Sequence, residues 1–151
     1  MIPQYNPLPD MNATEQLAQR VAPYLRRGDV LALQGNLGAG KTAFARALLR
    51  RLGVKGEVPS PTFTLVQTYD TADFIVHHFD LYRLKSESEV EEIGWDDACT
   101  EGVVIVEWPE RCADRLPDNY LLLQFTMNTE GQRICDAKPY GVWTERMKDT
   151  P

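Results

Sequence analysis

The sequence has few cysteines and few histidines. Its three cysteines, Cys99, Cys112 and Cys135, are odd in number and widely spaced, and only two histidines occur in 151 residues. A disulfide framework needs paired cysteines, and a zinc site needs ligands at close and regular spacing, so neither organises this chain. We therefore expect free, buried thiols and a reducing compartment.

Long apolar runs and an excess of basic residues are also lacking. No stretch of about 18 apolar residues is present, and the start of the chain, with Pro3, Asn6 and Asp10, lacks the basic and apolar parts of a signal peptide. With 16 Lys and Arg against 22 Asp and Glu, the net charge of −6 argues against unaided binding to nucleic acid or an anionic membrane. We expect a cytoplasmic protein, not associated with membranes, that meets any polyanion only through a partner.

The remaining composition is that of one folded domain. The chain is 43% hydrophobic and 25% charged, which is ordinary for a globular protein. Its length suits one compact domain and is short for two. We expect a single domain over residues 1–151, with an irregular, proline-rich arm at 1–11 and a polar tail with little order at about 141–151.

A glycine-rich loop is the strongest motif of the sequence. The segment from Gly35 to Thr42 reads GNLGAGKT and fits the phosphate-binding pattern GxxxxGK[ST]. Its glycines let backbone N–H groups approach a phosphate chain, Lys41 offers a positive charge to the β and γ phosphates, and Thr42 offers a hydroxyl to Mg²⁺. The predicted nucleotide-binding residues are Asn36, Leu37, Gly38, Ala39, Gly40, Lys41 and Thr42.

The segments around this loop have the order strand, loop, helix. Residues 30–33 form a short apolar run that is typical of a buried parallel strand. After the loop, apolar residues recur at helical spacing from Ala45 to Leu52, and Gly53 ends the predicted helix. The N-terminus of that helix then faces a bound anion, as the motif requires.

The rest of the chain alternates between predicted helices and strands. These elements are a helix capped by Asn12 and Glu15 that Pro23 ends or kinks, an antiparallel hairpin of residues 63–69 and 74–81, a helix over 86–99 that Gly94 divides, a buried strand at 103–106, and a closing hairpin of 120–127 and 132–137. The helix over 86–99 has two candidate caps, Ser86 with Glu89 or Ser88 with Glu91, and its acidic run is most simply a solvated face.

Two carboxylates are candidates for the metal site. Glu107 follows the apolar run 103–106, and Asp80 follows a run that His77 and His78 interrupt. If both strands are parallel neighbours of the loop strand, both carboxylates emerge at one edge of the sheet, where one orients the metal shell and the other a water. Which of them contacts Mg²⁺ is left open, and the two histidines are assigned to packing.

The segment between the loop helix and the predicted hairpin has two interpretations. Ser60 and Thr62 lie in a short stretch that two prolines hold away from helix. The two hydroxyls form either a loop that senses the metal or the γ phosphate, or a simple turn.

Several segments together resemble one family. They are GNLGAGKT at 35–42, SPTFTLV at 60–66, HFDLYRL at 78–84, EEIGW at 91–95 and EWPER at 107–111. In this order they are similar to the bacterial TsaE (YjeE/YdiB) family of small ATPases, over roughly residues 10–125. Asn36 departs from the family, in which an acid is common, and the C-terminal hairpin and tail match weakly.

The resemblance implies a fold, an activity and a set of partners. The family fold is a P-loop NTPase-like, three-layer α/β/α arrangement with a mixed, mainly parallel sheet. The implied activity is a Mg²⁺-dependent ATPase that supports TsaD-like and TsaB-like proteins in making N6-threonylcarbamoyladenosine at position 37 of tRNA. The resemblance also implies roles for six residues. Lys41 and Thr42 correspond to phosphate and Mg²⁺ ligands, and Asp80 and Glu107 to functional acids. Thr62 lies in a switch-like loop, and Trp108 lies beside the site.

Other nucleotide-binding functions use the same loop. A small-molecule kinase needs an acceptor pocket and a lid with arginines; Arg111 and Arg115 are candidates, but no insertion of lid length is present. A GTPase is disfavoured because no Asn-Lys-x-Asp segment occurs. A nucleotide-stabilised binding module without turnover stays open.

Overall fold

The computed structural model describes residues 2–148 of the chain. Over these residues it contains seven strands and five α-helices. The strands are β1 (Tyr5–Pro7), β2 (Val30–Gly35), β3 (Val66–Asp70), β4 (Ile75–Asp80), β5 (Val103–Glu107), β6 (Tyr120–Met127) and β7 (Arg133–Tyr140). The helices are α1 (Met11–Val21), α2 (Lys41–Arg51), α3 (Glu89–Glu92), α4 (Trp95–Glu101) and α5 (Trp143–Lys148).

The strands form one mixed sheet in the order β1-β7-β6-β2-β5-β4-β3. The four central strands β6, β2, β5 and β4 are parallel, and the outer pairs β1·β7, β6·β7 and β3·β4 are antiparallel. Helices α1, α2 and α5 pack on one face, and α3 and α4 on the other. The prediction of a three-layer α/β fold with a mixed sheet is confirmed, and its parallel part is the centre.

The central strands are apolar because both of their faces are covered. Leu31 and Leu33 of β2 belong to the core on one face, while Val30 and Ala32 belong to the core on the other. Strand β5 divides in the same way, with alternate residues of 103–106 in the two cores. Side chains alternate along a strand, so a continuous apolar run is stable only between two layers. The motif strand β2 and the acid-bearing strand β5 are therefore adjacent at the centre.

The predicted irregular N-terminal arm is wrong over residues 5–7. These residues form β1, an edge strand paired with β7, in which Asn6 lies opposite Cys135. Pro7 is tolerated there because an edge strand needs no donor on its outer side. The helix cap is also different: Asp10, not Asn12, accepts a hydrogen bond from the N–H of Ala13 at 2.9 Å. A three-residue strand has too little alternation to be recognised locally.

The predicted C-terminal tail is also more ordered than expected. The closing hairpin is confirmed, but its second strand continues to Tyr140, and α5 follows from Trp143. Trp143 is fully buried, and Arg146 pairs with Asp29 at 2.7 Å, which fastens α5 to the turn before β2. A helix of six residues is too short for a periodic signal, so the sequence did not predict it. Residues 149–151 of the predicted tail lie outside the described residues.

Two further expectations are refined by the structure. The predicted hairpin at 63–81 is confirmed, but β3 begins at Val66, and Phe63 lies in the preceding turn with its side chain 80% exposed. Gly94 adopts a left-handed conformation and separates α3 from α4, as predicted. The carboxylate of Glu89 accepts from the N–H of Ser86 at 3.0 Å, but the residue before α3 is Ser88 and its side chain makes no capping hydrogen bond, so neither candidate capping box is complete.

The three thiols are free, as expected. Burial raises the pKa of Cys99 and of Cys112 to about 12, and raises that of Cys135 as well. Thiols that are protonated at neutral pH are poor nucleophiles, which supports a packing role for them. Among the described residues, no helix combines the length and the apolar character needed to cross a bilayer.

Candidate functional site

The glycine-rich loop connects β2 to α2 at the carboxyl edge of the central strands. Gly35 ends β2 and is tightly packed, because a Cβ there would lie 2.5 Å from the backbone oxygen of Phe125 on β6. Gly40, with a φ of 115°, makes the left-handed turn into α2. A side chain at either position would be strained or displaced. The loop thus has the compact backbone that a phosphate cradle needs.

The N-terminus of α2 is suited to an anion. Gly40 provides no side-chain cap, and the first turn contains no acidic residue. The first N–H groups of a helix lack partners within it, and the helix dipole adds partial positive charge. Together with the compact loop, this arrangement fits the phosphates of a nucleotide.

Lys41 lies folded back over the loop. Its Nζ donates to the backbone carbonyls of Gly35 and Asn36, the latter at 3.0 Å, and lies 4.2 Å from the ring centroid of Trp108. Burial lowers the pKa of this ammonium, whereas the nearby carboxylates of Glu107, Glu110 and Asp80 oppose that shift. The positive charge of Lys41 therefore already lies at the loop. The backbone carbonyls that it contacts are uncharged, so a bound phosphate can replace them as its partners.

The two predicted acids lie side by side. Asp80 ends β4 and Glu107 ends β5, and the two residues are register partners in the parallel pair. Both are buried, at 4% and 2% exposure. The expectation that both strands flank β2 is only half right: β5 is the neighbour of β2, and β4 lies one strand further out. Glu107 is therefore the acid nearer the loop strand.

Glu107 makes two hydrogen bonds, one through each oxygen. Its Oε1 accepts from the hydroxyl of Thr42 at 2.8 Å. Its Oε2 lies 2.7 Å from Nε2 of the buried His78. The hydroxyl of Thr42, which the motif predicts as a Mg²⁺ ligand, and the carboxylate of Glu107 are thus in contact.

Asp80 is held by the segment before β3. Its Oδ2 accepts from the hydroxyl of Thr62 at 3.0 Å, and its Oδ1 accepts from the N–H of Tyr82 at 3.1 Å. The hydroxyls of Ser60 and Thr62 are 2.8 Å apart. The segment of Ser60 and Thr62, for which the sequence allowed either a sensing loop or a simple turn, therefore contacts Asp80 directly.

Trp108 adopts an unusual backbone conformation next to Glu107. Its φ and ψ of 62° and 52° are left-handed, although it is not a glycine. Its N–H donates to the carbonyl of Leu33 at 3.3 Å, and its ring lies 5.0 Å from that of Tyr82. Such conformations cost on the order of 1–3 kcal/mol and concentrate at functional sites. Here the turn places the indole beside Lys41.

These groups line one cavity of about 410 Å³. The predicted residues along it are Leu37, Gly38, Gly40, Lys41, Thr42, Ser60, Thr62, Asp80, Glu107 and Trp108. The side chains of Asn36 and Ala39 do not line it, and the N–H of Ala39 donates to the carbonyl of Asn36 at 3.1 Å. Within residues 2–148, no group of three His, Cys, Asp or Glu side chains could hold a metal alone, so a metal would need Thr42 or a ligand oxygen as well.

Sequence reasoning missed four contributors to this region: His78, Tyr82, Arg133 and the start of α1. Arg133 lines the cavity and donates to the carbonyl of Gly38 at 3.2 Å. A second cavity, of about 430 Å³, shares Gly40, Ala43 and Arg133 with the first and extends to Asp10 and Thr14. Only His78 had a usable signal, since it lies two residues before Asp80 and so shares its face of β4.

Comparisons with known proteins show which family and which fold this chain is similar to. A family model described as "Threonylcarbamoyl adenosine biosynthesis protein TsaE" matches residues 8–135. The chain is 37% identical to the tRNA threonylcarbamoyladenosine biosynthesis protein TsaE of Rickettsia felis, over 81% of this chain and 72% of the relative. It is 47% identical to the protein of the same name from Synechocystis sp., over 69% of each chain. The crystal structure of Bacillus subtilis YdiB superposes with a TM-score of 0.80 at 27% identity, covering 95% of this chain and 90% of that one.

Proposed function

The chain belongs to the TsaE family of threonylcarbamoyl adenosine biosynthesis proteins, and from this premise we propose that it binds and hydrolyses ATP with Mg²⁺ to support that modification of tRNA. The observation that carries the proposal is the convergence of Lys41, Thr42, Asp80 and Glu107 on one cavity. A phosphate loop beside two buried carboxylates is the arrangement that phosphoryl chemistry requires.

Each group has a role that its contacts support. The loop backbone and Lys41 would hold the β and γ phosphates, and Thr42 with Glu107 would hold Mg²⁺. When bound, Mg²⁺ neutralises phosphate charge and favours attack at the terminal phosphorus. Asp80 would orient a water, and its hydrogen bonds with the Thr62 hydroxyl and the N–H of Tyr82, which restrain the carboxylate, support this role. Trp108 shields the Lys41 ammonium on one side.

The second cavity supports a complete nucleotide. It shares Gly40, Ala43 and Arg133 with the phosphate cavity, so it continues from the phosphate end of the site. Asp10 and Thr14 of the N-terminal segment line it and offer polar groups, while Leu8 and Met127 offer apolar surface for a base. We propose that the nucleoside part of ATP occupies this cavity.

Partner proteins are proposed to supply the tRNA-binding surface that this acidic chain lacks. Leu37, at the edge of the phosphate cavity, is 67% exposed, and Phe63, three residues after Ser60, is 80% exposed. Contiguous exposed apolar patches mark surfaces that a partner covers, and we propose that Leu37 and Phe63 belong to such a surface. With a net charge of −6, the chain is unsuited to hold tRNA alone. We propose that TsaD-like and TsaB-like proteins hold the tRNA and use the ATPase cycle.

The kinase alternative has weaker support. A lid arginine has to reach the phosphates, but Arg115 pairs with the Glu91 carboxylate and so is engaged at α3. The cavity that adjoins the first one is assigned above to the nucleoside part of ATP, so in this proposal it does not serve as an acceptor pocket.

The two functions are separated by the fate of the γ phosphate. With γ-labelled ATP and Mg²⁺, we expect the purified chain to release labelled inorganic phosphate, faster with its partner proteins present. Addition of a cell metabolite extract should give no labelled organic phosphate beyond that of a Lys41→Ala control. Transfer of label to a metabolite would favour the kinase, and ATP binding without turnover in the full mixture would favour an inert module.

A further inference from the structure

Two adjacent histidines on β4 have different surroundings. His78 is fully buried, and its Nε2 lies 2.7 Å from Glu107 Oε2. His77 lies on the opposite face, with its Nε2 3.0 Å from the exposed carboxylate of Glu101. A carboxylate only accepts hydrogen bonds, so Nε2 of His78 is the donor. Only one of the pair is connected to the proposed site.

The bond from His78 restrains Glu107 from within the sheet. The other oxygen of Glu107 is bonded to Thr42, which belongs to the loop helix and faces the ligand. His78 belongs to the strand next to β5, and no loop residue takes part in its bond. The histidine therefore fixes one oxygen of the carboxylate from the side remote from the ligand, which leaves Oε1 directed at Thr42.

Packing alone does not explain a histidine at this position. Nδ1 of His78 is buried and has no hydrogen-bond partner among the described residues. Buried polar atoms are normally paired, and a leucine of similar size would avoid the unpaired nitrogen. The energetic cost of leaving Nδ1 unpaired is explained if Nε2 makes a functional hydrogen bond that an apolar side chain cannot make.

We propose that His78 is a positioning residue that holds Glu107 in place for Mg²⁺ beside Thr42. This inference rests on the proposed ATPase function. It concerns how much Mg²⁺ increases the affinity for ATP, more than the affinity for ATP without Mg²⁺. Without the imidazole, Oε2 loses the one donor that it has among residues 2–148, and the carboxylate is free to turn toward the ammonium of Lys41, which it attracts. Hydrogen-bond partners that orient metal ligands typically change metal affinity by about 10- to 100-fold when removed.

The test is the affinity for ATP measured by calorimetry with Mg²⁺ and with EDTA. For His78→Leu we expect the gain in affinity from Mg²⁺ to fall by about 10-fold or more, with the EDTA value within about twofold of the unmodified chain. His78→Gln, whose amide extends toward the position of Nε2, should retain most of the gain. His77→Leu is the matched control and should behave like the unmodified chain, because His77 faces away from the site.

The outcomes separate this inference from the function on which it rests. If the unmodified chain shows no Mg²⁺-dependent ATP binding, the ATPase proposal itself is wrong. If it does, and His78→Leu keeps the full gain from Mg²⁺, the positioning role is overturned. If thermal melting shows that His78→Leu does not fold, His78→Asn replaces it, because the shorter amide of asparagine cannot reach Glu107. In that case, a gain in ATP affinity from Mg²⁺ that is as large in His78→Asn as in His78→Gln overturns the proposal.

Discussion

Replacing Glu107 by alanine is expected to abolish ATP-dependent support of tRNA modification while leaving measurable ATP binding. Glu107 contacts Thr42 through one oxygen and is 2% exposed, so its charge acts in a region of low dielectric. The phosphate loop and Lys41 remain intact in this variant and can still hold the phosphates. By analogy with the loss of one preorganised electrostatic group, we expect ATP turnover to fall by about 100-fold or more.

The comparison for this variant is Asp80→Ala, whose side chain is the second acid of the cavity. Asp80 lies one strand further from the loop and is held by Thr62, so its loss should also stop turnover but should weaken the Mg²⁺ effect on binding less. Glu57→Ala is a control that removes one exposed carboxylate outside the cavity lining. Turnover in Glu107→Ala and Asp80→Ala equal to that of the unmodified chain would remove both acids from the mechanism.

Replacing Lys41 by alanine is expected to weaken ATP binding itself. Its ammonium lies beside the carbonyls of Gly35 and Asn36 and lines the phosphate cavity. A hydrogen bond to a charged group contributes about 1.5–3 kcal/mol, which corresponds to an affinity loss of roughly 10- to 100-fold. The measurement is calorimetric titration with ATP and Mg²⁺. Because the remaining acids then face the phosphates without this cation, turnover should be lost as well.

Lys55→Ala is the matched control for this substitution. Lys55 is exposed, lies beyond the end of α2 and does not line either cavity near the loop. Lys55→Ala removes the same charge from the chain as Lys41→Ala. The comparison therefore separates the loss of an ammonium at the loop from a change in net charge. An ATP affinity of Lys41→Ala within twofold of that of Lys55→Ala would contradict the assignment of the loop.

The sequence was most informative where function depends on local order. Strand, loop and helix follow one another without interruption from Val30 to Arg51, so spacing and apolar period were sufficient to place them. Asp80 and Glu107 were placed together because carboxyl ends of parallel strands meet at one edge, and the register confirms this placement. The separation of β4 from β2 by β5 could not be predicted, because strand order depends on contacts between distant segments.

The parts that sequence missed depend on pairing over long distances. Strand β1 exists because β7, more than a hundred residues later, provides its hydrogen bonds. The second cavity forms for the same reason, since it needs Asp10 near Arg133 and the loop. His78 was assigned to packing because two adjacent histidines carry no ligand spacing, and its role depends on the side chain of Glu107 on the next strand. Local patterns contain none of these contacts.

The central claim is that ATP hydrolysis by this chain supports the formation of threonylcarbamoyladenosine on tRNA. The most direct measurement is a reconstituted reaction with TsaD-like and TsaB-like proteins, substrate tRNA and the threonylcarbamoyl donor, in which modified nucleoside is counted per molecule of the TsaD-like protein. We expect multiple turnovers only when this chain and hydrolysable ATP are both present, and about one or fewer without the chain or with Glu107→Ala. Equal multiple turnovers in the absence of this chain would contradict the account.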